Sequence, residues 1–97
     1  MVKFALFARL EAKPGKEQEV ARFIESALPL AQQEAETVSW YALQIGPSTF
    51  GIFDTFENEE GRKAHLGGQI AAALVAKAPE LLAMAPVIER LDVLAAK

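Results

Sequence analysis

TVSWYALQIGPSTFGIFDTF, residues 37–56, decides how the rest of the chain is read. Its first nine residues are rich in β-branched and aromatic side chains, which fit a pleated, half-buried surface, and they read as a strand. Gly46-Pro47-Ser48 is a turn signal, and residues 49–56 read as a second strand, so the stretch is a hairpin. Alternation puts Val38, Trp40 and Ala42 on one side of the first strand and Tyr41, Leu43 and Ile45 on the other. The second strand sets Phe50, Ile52 and Phe56 against Phe53. Neither side is polar.

Upstream, VKFALFARLEA (2–12) alternates as a strand, with Val2, Phe4, Leu6, Ala8 and Leu10 opposite Lys3, Ala5, Phe7, Arg9 and Glu11. KPGK (13–16) breaks it, because Pro14 has no N–H to donate and Gly15 tolerates turn angles. Val20, Phe23, Ile24, Ala27, Leu28, Ala31 and Ala35 then recur at helical steps, and Pro29 should kink or briefly break that helix. Downstream of the hairpin, Asn58 is placed to cap a helix whose first residues, Glu59 and Glu60, suit its positive end. That helix carries His65 and pauses at Gly67-Gly68; a further helical piece, residues 69–83, contains Pro79, which is expected to divide it. Pro86 ends the region and VIERLDVLAA (87–96) reads as a closing strand.

The order β-α-β-β-α-β predicts a single domain over residues 1–97 of α+β, ferredoxin-like class, with a four-stranded antiparallel sheet and helices on one face. The closing strand sets Val87, Leu91 and Val93 against Ile88 and Leu94, so the sheet's second face is also apolar. A wet face would alternate to polar residues, and apolar patches beyond a few hundred Å² mark interfaces. A homodimer joined through the sheet faces is therefore expected. The composition agrees: 52% of 97 residues are hydrophobic, generous for a chain that buries only roughly two thirds of its unfolded surface alone.

A net charge of -3 with no basic cluster longer than Arg62-Lys63 argues against nucleic acid. The lack of cysteine excludes disulfides, a thiolate nucleophile and a sulfur metal site. No apolar run approaches the ~18 residues of a membrane span, so no membrane partner is expected and a cytoplasmic location is. With one histidine no metal is expected, carboxylates alone being able to hold only a hard cation, and no G-x-G-x-x-G dinucleotide fingerprint occurs.

Four residues stand out as a candidate site. His65, the single imidazole, exchanges protons near neutral pH without special tuning, although a helix histidine also packs at surfaces or caps carbonyls. Trp40, Tyr41 and Phe53 offer flat apolar surface to an aromatic ligand, with a donor on each of the first two, although strand aromatics are commonly core. Alternation separates Trp40 from Tyr41 and leaves open which of them lines a pocket. Asp54 is the polar oddity among Phe50, Ile52 and Phe56; a pair with Arg62 or Arg9, or a capping role, is the expectation. Arg9 and Arg90 are expected to pair with Glu89, Glu11 or Asp54 at the dimer seam. Ser39 and Ser48 have no triad context.

The stretch SWYALQIGPSTFGIFDTFENEEGRKAHLGG resembles the antibiotic biosynthesis monooxygenase superfamily, small dimeric α+β-barrel proteins, and the resemblance extends over nearly the whole chain. Its most telling part is the hairpin strand, an acidic helix start, then an arginine and the run Ala64-His65-Leu66. Heme-degrading members carry an asparagine, a tryptophan and a heme-ligating histidine where an ungapped alignment puts Ala8, His65 and Val75; none matches, and valine cannot ligate iron. What the resemblance implies is the cofactor-free type, in which a deprotonated quinol or polyphenol reduces dioxygen directly, with no cofactor. His65 would then accept the phenolic proton, and Trp40 or Tyr41 with Phe53 would hold the ring. The alternative is a non-catalytic small-molecule-binding protein on the same scaffold, and an isomerase or lyase acting on a similar ring is a third reading.

Overall fold

A computed structural model describes all residues, 1–97. The elements in chain order are β1 (Phe4–Glu11), α1 (Glu17–Ser26), α2 (Leu28–Gln33), β2 (Thr37–Gln44), β3 (Thr49–Phe56), α3 (Glu59–Leu66), α4 (Gln69–Leu81) and β4 (Val87–Asp92). The strands form one antiparallel sheet in the order β2-β3-β1-β4. This is the ferredoxin-like α+β arrangement that the hairpin predicts.

Register fixes the two faces. Leu6 of β1 stands opposite Asp54 of β3, which stands opposite Trp40 of β2; the next row joins Phe7, Phe53 and Tyr41 on the other face. Because successive side chains in a strand point to opposite sides, these rows belong to different surfaces. The helices cover the Leu6–Asp54–Trp40 face. Val20 and Ile24 of α1, with Leu74 and Leu81 of α4, pack with Leu10, Phe50 and Ile52 into the main core, while Ala27, Ala31 and Ile70 form a satellite cluster beneath Trp40.

The other face carries no element of this chain. Tyr41 stacks on Phe53 with centroids 6.5 Å apart and stays 53% exposed; Leu43, two residues along β2, is exposed too, as is Val87 on the far edge strand β4. Phe7 lies against Gly51, where a Cβ would stand 2.8 Å from its ring, so only glycine admits this approach. Arg9 sits over the Phe7 ring, 5.6 Å from its centroid.

Two features differ from the sequence reading. The closing strand ends at Asp92, not at residue 96: β1 begins at Phe4, the partner of Asp92, and the last bond beyond it runs from Val93 N–H to the Lys3 carbonyl. A strand without a partner row has nothing to pair its backbone with. Pro79 does not divide α4, which runs unbroken. It sits in the last turn, where its missing N–H deprives only the carbonyl of Val75, a 70% exposed residue open to water. Pro29 behaves as predicted, and the helix breaks at Ala27 with Pro29 in the first turn of α2.

Candidate functional site

The site begins with the cap of α3. Asn58 Oδ1 accepts from the Gly61 N–H at 2.8 Å, satisfying one of the unpaired donors at the helix start. Gly61 then lets α3 press against the loop before β2: a Cβ there would stand 3.1 Å from the Glu36 Cβ and 3.2 Å from its carbonyl oxygen. This approach turns Arg62 and His65, three residues apart and so on one helix face, toward the sheet. Both are buried.

His65 bridges two carboxylates. Its Nε2 lies 2.8 Å from Asp54 Oδ2 and its Nδ1 lies 2.6 Å from Glu34 Oε1. The Thr37 hydroxyl donates to the same Glu34 oxygen at 2.7 Å. The ring packs against Phe56 at 5.5 Å. Glu34, His65 and Asp54 therefore form a chain from a partly exposed side chain through the imidazole to a carboxylate that is 1% exposed.

Burial opposes a charge on the His65 ring, but the hydrogen bonds and charges of Asp54 and then Glu34 outweigh it, raising the pKa from 6.5 to about 9. At neutral pH the ring is an imidazolium between two carboxylates, donating from both nitrogens. Burial raises the Asp54 pKa above the ordinary carboxylate value; His65 pulls it back down and the charge of Glu34 adds to the rise. Only Oδ2 is held by His65. The other oxygen, Oδ1, is buried without a hydrogen-bond partner in the chain.

Both ends of this relay open onto space. Asp54 and His65 line a small apolar cavity of about 30 Å³ between sheet and helices, walled by Leu6, Ile52, Ile70 and Leu74 and bordered by the 47% exposed Ile88. Glu34 and Thr37 lie where two surface clefts meet, about 220 Å³ on the His65 side and about 280 Å³ on the Trp40 side.

Of the residues singled out in the sequence, His65 and Trp40 lie on the covered face, while Tyr41 and Phe53 lie together on the open one. The structure does not bring Tyr41 or Phe53 to His65. Asp54 pairs with His65, not with Arg62 or Arg9 as its apolar neighbours suggested. Arg62 instead bonds Glu59 at 2.8 Å, reaches the carbonyls of Ala5 and Leu91, and lies over Phe4. Neither Arg9 nor Arg90 makes a salt bridge within the chain. Glu34 was not anticipated, since nothing local marks it; the signal was its place just before β2, facing the helix that follows the hairpin. No group of three His, Cys, Asp or Glu side chains is arranged to hold a metal ion.

No protein-family model and no curated protein matches the chain. Among solved structures, the NE2512 protein of unknown function from Nitrosomonas europaea is 61% identical, with a TM-score of 0.98 over 100% of this chain and 94% of that one. The chain belongs to the family of the NE2512 protein. The NE2512 family shares its fold with more distant structures. A candidate antibiotic biosynthesis monooxygenase from Nitrosomonas europaea superposes with a TM-score of 0.83 at 12% identity, over 95% of this chain and 99% of that one. Another from Caulobacter crescentus gives 0.80 at 21% identity, over 97% and 92%. The superfamily that the sequence resembles is thus the one whose fold the NE2512 family has.

Proposed function

We propose that the protein is a monooxygenase that needs no cofactor, oxidising a quinol or polyphenol with dioxygen in the cytoplasm as a homodimer closed through the open sheet faces. The observation that carries this reading is the half-used carboxylate of Asp54, buried in an apolar cavity and connected to solvent through His65 and Glu34. A general base must reach the proton it takes and have a pKa displaced toward the working pH, and burial displaces that of Asp54 upward.

In this scheme Asp54 Oδ1 receives the proton of a substrate hydroxyl or of the acidic carbon beside the ring carbonyl. The resulting anion, electron-rich and out of water, gives its electrons to dioxygen. A ring CH₂ loses two hydrogens and gains one oxygen atom as a carbonyl, and the second oxygen atom leaves as water, so the substrate supplies every electron. His65⁺ steadies the anion and the reduced oxygen, and Glu34 returns protons to solvent. His65 is thus the charged partner of the base, where sequence reasoning made it the acceptor. At about 30 Å³ the cavity is smaller than ligand sites of ~300 Å³ and more, so a ring enters as α4 and the half-exposed Ile88 draw apart.

The second reading, a binding protein without turnover, draws support from the two clefts beside Glu34, which are open to solvent and several times larger than the cavity. An oxygen-electrode assay on a panel of anthrones and quinols separates the two. Uptake that saturates with substrate and falls in Asp54→Asn supports oxidation. Ligand binding with no uptake across the panel supports the binder.

A further inference from the structure

The outer end of the relay depends on an irregularity in β2. Thr37 pairs with Phe56 and Ser39 with Thr55, so two steps along β2 match one along β3, and Val38 is the extra residue of a β-bulge. The bulge decides where Thr37 points. Strict alternation from Tyr41 through Ser39 would put Thr37 on the open face. The extra residue instead sets it opposite Phe56, whose ring packs on His65, and Thr37 lines the same cleft as His65. There its hydroxyl donates to Glu34 Oε1 at 2.7 Å, the oxygen that lies 2.6 Å from His65 Nδ1. The Thr37 N–H also bonds the Glu34 carbonyl, at 3.3 Å, closing the turn between α2 and β2. Glu34 Oε2 lies against Gly68, where a Cβ would stand 3.3 Å from it. The carboxylate is thus fitted between a glycine, a hydroxyl and an imidazole.

We infer that Thr37 is the positioning residue of the relay, its hydroxyl holding the Glu34 carboxylate against the imidazole. Thr37 and His65 are the two side chains that hydrogen-bond Glu34. Asp54 is fixed in a buried strand, whereas Glu34 is partly exposed and has the rotamer freedom of a long side chain, so it is the member of the chain that a rotation can withdraw. A supporting hydrogen bond that locks the rotamer of a working group keeps its geometry productive. The charges that face His65 are Asp54 from β3 and Glu34 and Glu36 from the segment before β2, while β1, α4 and β4 present Leu6, Ile70, Leu74 and Ile88. Arg62, one turn back on α3, is taken by Glu59. Glu34 raises the pKa of His65 through both its hydrogen bond and its charge, so a Glu34 set loose lowers it. The role in turnover rests on the proposed oxidation; the contact itself belongs to the folded chain.

The test follows the ring protons of the single histidine by NMR across a pH titration of folded variants. Thr37→Val keeps the β-branched shape of a strand residue and removes the donor, and Thr37→Ala takes its place where it fails to fold. Either should lower the His65 midpoint by about 0.5–1 pH unit, the equivalent of one ordinary hydrogen bond. Thr37→Ser retains the donor and should restore the wild-type midpoint. Ser39→Ala removes a hydroxyl of the same strand that bonds Thr55 instead, and should leave the midpoint in place. In a Glu34→Gln background, Thr37→Val should shift nothing further, because the two changes act through one contact. A midpoint unmoved or raised in Thr37→Val, a fall that Thr37→Ser shares or Ser39→Ala reproduces, or a full further shift in the Glu34→Gln background would each overturn the positioning role. A residue that merely holds the turn would lower the melting temperature and leave the midpoint alone. Oxygen uptake on the same samples keeps the two proposals apart. An alkaline limb that falls with the midpoint supports both, and no uptake by the wild type removes the oxidation while the titration still decides Thr37.

Discussion

Two carboxylates in neighbouring strands illustrate what distinguishes a structural acid from a poised one. Glu11, at the end of β1, receives the hydroxyls of Ser48 and Thr49 on its two oxygens and ties the hairpin turn to the first strand. Those hydrogen bonds hold its pKa below the ordinary carboxylate value. Asp54, five residues along the ladder in β3, has one oxygen on His65 and one on nothing, and burial lifts its pKa. Water and two hydroxyls keep the first acid ionised and idle. The second sits among apolar side chains, where burial favours a proton against the pull of the neighbouring cation, and it has an unused oxygen to receive one.

The contrast can be broken most forcefully at His65. His65→Ala leaves Asp54 buried without its cation and should cost about 3–5 kcal/mol in urea unfolding at neutral pH. That loss should shrink as the pH falls and the carboxyl takes a proton. A variant of wild-type stability would mean that Asp54 does not depend on the imidazole, and one with full turnover of every oxidised substrate would remove His65 from the chemistry. Asp54→Asn, nearly the same shape, should reduce oxygen uptake by about 100-fold or more, in the range that general-base removal commonly costs. Stability at neutral pH should fall as well, by part of what His65→Ala costs, because the imidazolium loses the carboxylate that raises its pKa most. Tyr41→Asp tests the opposite face: a charge opposite Phe53 should shift sedimentation from dimer to monomer while the circular dichroism spectrum is kept. The smallest effect belongs to the idle acid. Glu11→Gln retains an acceptor for one of its two hydroxyls and should leave oxygen uptake within about twofold, since surface polar changes rarely propagate.

Much of this architecture is legible in the residues. The two periodicities, two for strands and 3.6 for helices, are set by local geometry, so the hairpin, the helix stripes and the Asn58 cap could be read directly. Asp54 was visible as a charge among Phe50, Ile52 and Phe56. Its partner was not, because Arg62 and His65 lie on the same face of α3 and either could have met it. Which one does is decided by Gly61 and by how closely α3 approaches the loop before β2, a tertiary distance that no local pattern encodes. Glu34 was hidden for the same reason: it meets His65 across 31 residues of chain. The faces of Trp40 and Tyr41 could be separated by alternation but not assigned until the ladder put Trp40 opposite Asp54.

One imidazolium is held between Glu34 and Asp54, and as the chain's lone histidine it can be measured directly. A folded pKa raised to about 9 over 6.5 means stabilisation fully present below pH 6.5 and lost as the pH rises through about 9, roughly 3 kcal/mol in all. Titrating the His65 ring protons by NMR from pH 5 to 11 tests this. A midpoint near 9, falling toward the ordinary value in Glu34→Gln, is the result expected; a midpoint at or below 6.5 in the folded wild-type protein would mean that the two carboxylates do not hold an imidazolium between them.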